Sequence, residues 1–456
     1  MSVRPETAAA LDHWLATTQA TFRQPSLAAA VARGGAVVWA GGVGHIGGRP
    51  EGQGSEAPGL DTAYRIASVS KTFVAVAVLR LVEQCRIGLG DRVADTVPDA
   101  PCADATVAQL LSHTSGLQAE TDGDWWERSP GLSWEQLVDQ GMTRRFAAGR
   151  KYHYSNVGYA VLGRLLETHH RAPWEEVLRR DLLDPLGMSR TSRLRSQSDS
   201  AVGWAVHPHA ALLHAEPVQD YRAMGAAGEL WSTCRDLVTW GSFLCGATDG
   251  PLGTELLEQM REPWCVSDLP GQAWVGGHGL GLQVWNLEGR RYAGHTGSVP
   301  GFTCELRTDP EAGDVVVTLG SATTGFGGGA TLLAAYQGHE PVPTKPFVAD
   351  PGQAGVLDLV GAWYWGSMPY VISGGPDGGL ELTVAGPVGT RSAGFAAAGP
   401  DRWVGRVGYF AGEPLVVTRD AAGRPGWLDV ASFRLSRTPY DPQAALPGGP
   451  DERGWH

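Results

Sequence analysis

Several absences narrow what this chain can be. No stretch approaches roughly 18 uninterrupted apolar residues, so no membrane-spanning helix is expected. No run of Lys or Arg stands out among 36 basic and 48 acidic residues, a formal charge of −12, which argues against a nucleic-acid or anionic-membrane partner. The six cysteines, Cys85, Cys102, Cys234, Cys245, Cys265 and Cys304, lie far apart with no redox or metal-ligand spacing, and read as free buried thiols of a reducing compartment. No histidine–carboxylate spacing suggests a metal, and nothing calls for a cofactor. Gly325-Phe-Gly-Gly-Gly329 lacks the Lys-Ser/Thr ending of a phosphate loop and reads as a turn before a helix at 330–336. There is no G-x-S-x-G elbow. The start, Met1-Ser-Val-Arg-Pro-Glu, lacks the basic-then-apolar build of an export signal and reads as a surface helix, so a cytoplasmic location is expected.

What is present is enough for more than one core. A chain of 456 residues, 43% apolar with 17 Trp, suits two or three domains. Residues 1–337 alternate strands and helices. A hairpin of 28–33 and 36–41 turns at Gly34-Gly35, helices are expected over 70–84, 106–111, 157–169 and 174–183, and strands over 281–287, 291–295, 303–308 and 314–320. Strands at both ends of a helical middle predict one helix-covered sheet, an α/β (α+β) domain. Residues 338–351 form a Pro-rich linker. Residues 352–445 hold seven short alternating strands separated by Gly, Pro and Asp turns, an all-β barrel, and 446–456 read as a disordered tail.

The chemistry starts at Ser68-Val-Ser-Lys71, which precedes an apolar helical stripe of Phe73, Val74, Ala77, Val78, Leu81 and Val82. A serine hydroxyl is a weak nucleophile. An amine one turn away can take its proton if burial keeps that amine neutral. Tyr154-Ser-Asn156 stands at a helix start, where a phenol can relay a proton and an amide can hold a lysine and a substrate carbonyl; Asn156 as a plain helix cap is the alternative. Gly294-His-Thr-Gly297, followed by Ser298, ends a strand, and its glycines would let a substrate backbone approach; an ordinary strand-end histidine is the alternative for His295.

Together these elements resemble the serine β-lactamase and penicillin-binding-protein superfamily, in its class C β-lactamase, D-aminopeptidase and esterase branch. Tyr64-Arg-Ile-Ala-Ser-Val-Ser-Lys71, Leu110-Leu-Ser-His-Thr-Ser-Gly-Leu117, Tyr154-Ser-Asn-Val-Gly-Tyr159, Asp184-Pro-Leu-Gly-Met188, Ala226-Ala-Gly-Glu-Leu-Trp-Ser-Thr233 and Gly294-His-Thr-Gly297 carry the likeness. The resemblance implies a β-lactamase/transpeptidase-like domain with Ser68 as acyl-accepting nucleophile, Lys71 as its base, Tyr154 as proton shuttle and Asn156 as support for Lys71 and the acyl carbonyl. His295 takes the third-motif position, and the N–H groups of Ser68 and Ser298 form the oxyanion hole. His113 matches a family phrase and is read as a helix-end structural residue. A histidine at position 295, where many relatives carry lysine, suits an acyl donor without a free carboxylate.

The second domain, from Gly361-Ala-Trp-Tyr-Trp-Gly366 to Phe433-Arg-Leu-Ser-Arg437-Thr-Pro-Tyr-Asp-Pro442, is similar to the lipocalin-like domain of penicillin-binding-protein-type thioesterases, stand-alone nonribosomal peptide cyclases. That likeness implies a carrier protein bearing a pantetheine-linked peptide as partner, a D-residue at the acyl end, and head-to-tail macrolactam formation. D-stereospecific hydrolysis and a non-catalytic peptide-binding role are the alternatives. Arg437 is the candidate for holding the peptide, with a surface pair to Asp441 or Asp429 the alternative. Trp125, Trp126 and Trp231 are candidates for the cleft wall, with plain packing the alternative for each, and Gly297 is expected to contact substrate. Arg144, Arg145, Arg150 and Lys151 form a local basic cluster for carrier docking.

Overall fold

Both ends of the first domain meet in one sheet. The computed structural model describes residues 2–439 apart from 50, 52, 53, 101, 103, 195–198, 325, 326, 343–345 and 387–390. The expected tail at 446–456, the closing Asp441-Pro442 and the Gly325-Phe326 part of the glycine turn lie outside the described residues. The chain divides into two compact units, Met1–Pro343 and Thr344–His456.

In the first unit, helix α1 (Pro5–Thr21) leads into the hairpin β1 (Ser26–Arg33) and β2 (Ala36–Gly44). The middle holds α2 (Ser70–Glu83), α3 (Val107–Leu111), α4 (Asn156–His170) and α5 (Cys234–Cys245). Then come β3 (Cys265–Val266), β4 (Gly276–His278), β5 (Gln283–Leu287), β6 (Arg290–Val299), β7 (Phe302–Asp309), β8 (Asp314–Gly320) and α6 (Gly329–His339). The eight strands form one sheet in the order β2-β1-β8-β7-β6-β5-β4-β3. The first and last parts of the unit are joined where β1 pairs antiparallel with β8, from Leu27 opposite Gly320 to Arg33 opposite Asp314.

The sequence of β1 explains the layering. Its alternate residues point to opposite faces. Leu27, Ala29 and Val31 pack with Leu11 and Leu15 of α1 and with Leu332, Leu333 and Tyr336 of α6. Ala28, Ala30 and Ala32 face the larger core that includes α2 and α5. Alanines there allow close helix approach, and Gly241 of α5 shows how close: a Cβ on it would lie 2.5 Å from Val315 Cγ1. The N-terminal helix is therefore half of a covering layer rather than a surface appendage.

The second unit is a closed antiparallel barrel of eight strands from Gly361–Trp365 to Phe433–Ser436. It closes through Tyr364 opposite Ser436. Seven strands were expected. The stretch 426–435 is two strands, Pro425–Val430 and Phe433–Ser436, separated by a turn in which Ala431 takes a left-handed φ of 51°. The unit boundary falls inside the expected linker, but Gly338 and His339 of that stretch finish α6.

Candidate active site

Ser68 sits on a single 3-10 turn, Ala67–Val69, that feeds directly into α2. Ala67 before it has a left-handed φ of 48°, a conformation that costs a non-glycine residue energy and persists only where packing enforces it. Packing is dense here. Ring centroids of Phe73 and Trp240 stack 4.0 Å apart, and Trp240 Nε1 donates to Thr72 Oγ1 at 2.8 Å.

One turn on, Lys71 is completely buried. Its Nζ lies 3.0 Å from Ser68 Oγ, 2.6 Å from Asn156 Oδ1 and 2.5 Å from the Ala227 carbonyl oxygen. Burial pulls its pKa down to about 7, against the pull of the Glu120 and Glu127 carboxylates, which raise it. A neutral amine has two N–H donors and one lone pair. Asn156 Oδ1 and the Ala227 carbonyl only accept, so they take both N–H groups and leave the lone pair for the Ser68 hydroxyl proton. The amide of Asn156 is oriented from its other end, Nδ2 donating to Glu120 Oε1 at 2.7 Å. Glu120 Oε2 in turn accepts from Trp126 Nε1 at 2.7 Å.

Tyr154 precedes α4, and its ring centroid lies 5.0 Å from Lys71 Nζ. Burial raises its pKa, with a hydrogen bond from Ser68 acting in the opposite direction. The helix cap is Ser155, whose Oγ accepts from Gly158 N at 3.0 Å, so Asn156 is free of capping duty as the first helical residue. His113, at a left-handed φ of 56° beyond α3, accepts the Ser155 N–H on Nδ1 at 3.1 Å. It is thus a structural prop of the Tyr154 loop.

The third motif lies inside a strand. β6 continues through His295, Thr296, Gly297 and Ser298 to Val299 rather than stopping at His295. Thr296 N–H leaves the edge facing away from β7 and donates to Gln283 Oε1 at 3.0 Å. By the strand's period of two, Ser298 N–H leaves the same edge, into the cleft that Ser298 lines. Gly297 lines the cleft, as expected of a residue that substrate approaches, and has a further reason to be glycine. A Cβ there would lie 2.4 Å from the Ile66 carbonyl oxygen and 3.1 Å from Ser68 N, so this glycine lets the strand close on the nucleophile's own turn.

These residues border a cleft of about 730 Å³, lined by Ser68, Tyr152, Tyr154, Asn156, His295 and Gln283 among others. Three carboxylates, Glu120, Glu127 and Glu305, also line it, and no Lys or Arg does among the described residues. Burial raises the Glu127 pKa, with the hydrogen bond from Trp125 opposing. Glu305 is tied to Arg307 Nε at 2.9 Å and to Gly329 N at 2.9 Å.

Several expected substrate contacts fall elsewhere. Trp231 is a core residue: it is buried, packs edge-to-face on Phe302 at 5.3 Å, and sits on a two-residue strand paired with Tyr64 and Arg65. Trp126 does line the cleft, but Trp125 is 57% exposed, outside the cleft lining, with Nε1 donating to Glu127 Oε2 at 2.9 Å. Arg437 spends its guanidinium within the barrel. It donates to the carbonyls of Asp358, Val360 and Ala362, and stacks 4.1 Å from the Trp363 ring centroid, so these donors are already committed. The basic cluster is partly neutralised, since Arg144 forms a two-bond pair with Asp104 and Arg145 lies 3.8 Å from Asp122. The cysteines are all free; Cys85 is exposed and Cys265 half-buried, so not all of them are buried thiols.

The stretch Asp124-Trp-Trp-Glu127 was expected to wall the cleft and does so through Trp126 and Glu127, whereas sequence reasoning passed over Glu120, Gln283, the Ala227 carbonyl and His278. Glu120 had a usable signal, three residues beyond the Leu110–Leu117 phrase. His278 had none. Yet it converges with His113 and His295, each offering a ring nitrogen within 4.8 Å of the others, the spacing of a metal-ligand set.

A family model described as Beta-lactamase matches residues 11–338. The chain belongs to the beta-lactamase family. A second model, Domain of unknown function (DUF7586), matches residues 352–437, the barrel. Penicillin-binding protein 4 of Amycolatopsis lactamdurans is 29% identical over 294 residues, 58% of this chain and 74% of that relative. Other curated relatives are matched over about half their own length or less. The octameric penicillin-binding protein homologue from Pyrococcus abyssi superposes with a TM-score of 0.65 at 22% identity, covering 94% of this chain and 99% of that one. A D-stereospecific amidohydrolase from Streptomyces sp. gives 0.60 at 23% identity over 74% of this chain and 99% of the other. This beta-lactamase-family unit thus carries its Ser-x-x-Lys, Tyr-x-Asn and His-Thr-Gly elements around one cleft. No helix among the described residues is long and apolar enough to cross a membrane.

Proposed function

We infer that this protein is a cytoplasmic serine acyltransferase that takes the acyl group of a D-configured residue from a donor lacking a free carboxylate and passes it to an amine, releasing and cyclising a nonribosomal peptidyl thioester. The observation that carries this reading is the charge of the cleft. A free carboxylate on the donor would meet Glu120 and Glu127 and find no lining cation, whereas a thioester is neutral and an incoming amine, as its ammonium form, is attracted. D-configuration at the acyl residue is supported by the similar fold of the D-stereospecific amidohydrolase.

In this scheme neutral Lys71 takes the Ser68 proton as Oγ bonds to the thioester carbon. The carbonyl oxygen becomes an oxyanion facing Ser68 N–H and Ser298 N–H, donors of a kind worth about 3 kcal/mol each. The C–S bond breaks, and the departing thiolate receives a proton by way of Tyr154. The peptide's own amine then attacks the ester carbon, gives up a proton to the Lys71–Tyr154 pair, and the C–Oγ bond breaks with Ser68 reprotonated. Tethering makes this amine intramolecular, which helps it outrun water.

The same carboxylates favour a second reading, D-stereospecific hydrolysis, in which they hold the free α-ammonium of the donor and water is the acceptor. The mass of the product from a peptidyl N-acetylcysteamine thioester ending in a D-residue separates the two. Loss of the thiol alone supports cyclisation. An added water supports hydrolysis and defeats the cyclase.

A further inference from the structure

Packed against Tyr154 lies a histidine cluster that the acyl-transfer scheme does not use, and its His295 also lines the cleft. His113, His278 and His295 are all essentially fully buried, and their ring nitrogens converge within 4.8 Å. Their rings pack mutually, with His113–His278 centroids 4.5 Å apart and His278–His295 centroids 5.7 Å apart. The Nε2 atom of each is buried with no protein hydrogen-bond partner. Three buried Nε2 atoms left unpartnered within one cluster of packed rings are costly unless a guest satisfies them.

The other ring nitrogens fix what that guest is. His295 Nδ1 lies 2.5 Å from the Thr296 carbonyl oxygen, and His278 Nδ1 lies 3.3 Å from the Gly279 carbonyl oxygen. Carbonyls only accept, so both Nδ1 atoms carry the proton and both Nε2 atoms present lone pairs. His113 is reversed. Its Nδ1 accepts from the Ser155 backbone N–H, so its proton sits on Nε2 and no lone pair is left there. Histidines that bind metals donate their second nitrogen to an acceptor, as His278 and His295 do; His113 does the opposite, so the three cannot act together as metal ligands. One donor and two acceptors match a water molecule, which accepts one hydrogen bond and donates two, with the number of polar partners a buried water needs.

We propose that His113, His278 and His295 hold one water molecule through their Nε2 atoms, and that this cage ties the Tyr154 loop to the strand carrying His295. The loop end is His113, which grips Ser155 N–H between Tyr154 and Asn156 and whose ring packs 4.2 Å from that of Tyr154. The strand end is His295, two residues before the glycine that closes on Ser68. The histidines act as positioning residues, and they are neutral: burial, with Lys71 nearby, lowers all three, His278 to about 4.

The test is 15N-histidine NMR on the full chain, joined to two variants. The expected spectrum has the His113 proton on Nε2 and the His278 and His295 protons on Nδ1, unchanged by one equivalent of Zn2+. A His113 proton on Nδ1, or stoichiometric Zn2+ shifts at the three Nε2 atoms, overturns the cage. His278→Gln places an amide oxygen where the acceptor nitrogen stood, and His278→Leu removes it. The rate at which a fluorophosphonate probe labels Ser68 should fall about tenfold or more in the Leu variant and stay within about threefold of the parent in the Gln variant. Equal rates in all three proteins contradict the positioning role. Should the Leu variant fail to fold, the tautomers of the parent protein still decide the cage.

Discussion

Lys71 Nζ stands 3.0 Å from Ser68 Oγ while its two other contacts are groups that can only accept. The pair is therefore set for proton transfer from the serine as soon as the lysine is neutral. With the Lys71 pKa near 7, the active form gains on raising the pH through that value. The second-order rate of Ser68 labelling should rise tenfold per pH unit below about pH 7 and level off above it. A plateau reached only near pH 10 would mean that the lysine keeps its ordinary pKa and is not the base.

Glu120 acts on this pair from behind Asn156. Its carboxylate accepts from Asn156 Nδ2 and Trp126 Nε1, and its charge holds the Lys71 pKa up. Glu120→Gln removes the charge, so the acid limb should move to lower pH. It also turns an amide N–H towards one of two donors, so the plateau rate should drop. A limb that moves upward contradicts this electrostatic assignment.

Gly297→Ala tests the contact between strand and nucleophile. The added methyl would meet the Ile66 carbonyl oxygen at 2.4 Å, a backbone atom that cannot step aside. Overpacking of this kind costs about 1–3 kcal/mol, and a shift of the Ser68 turn should lower labelling about a hundredfold. Thermal melting and labelling rate measure the two effects, and an Ala variant with parental labelling would remove the reason given for this glycine.

The tryptophans should separate by stability. Trp231→Ala empties a core site against Phe302 and should cost about 3–5 kcal/mol. Trp125→Ala, at an exposed position, should stay within about 0.5 kcal/mol. Urea titration of both variants checks the contrast, and similar losses would place Trp231 outside the core.

The fold was legible where pattern is local. The hairpin at Gly34-Gly35, the β-branched run of β8 and the apolar stripe of α2 all declare themselves within a dozen residues or so. Ser68, Lys71, Tyr154 and Asn156 were legible as phrases; Ser68, Tyr154 and Asn156 line one cleft, and buried Lys71 touches Ser68 and Asn156. What could not be read depends on partners distant in the chain. The need for Gly297 comes from Ile66, and the burial of Trp231 from Phe302. His278 lies on a three-residue strand with no motif, so its meeting with His113 and His295 appears only once the sheet is assembled. Arg437 read as either a peptide-holding residue or a surface ion pair because its actual acceptors are backbone carbonyls, which leave no trace in sequence.

The central claim is an acyl group carried on Ser68 between a D-configured donor and an amine. The most direct measurement is intact-protein and peptide mass spectrometry after rapid mixing with a D-terminated peptidyl thioester. The account predicts a mass increase equal to the peptide acyl group, mapped to Ser68, absent in Ser68→Ala, and followed by release of product. Turnover of the thioester by Ser68→Ala, or an adduct on another residue, would contradict it.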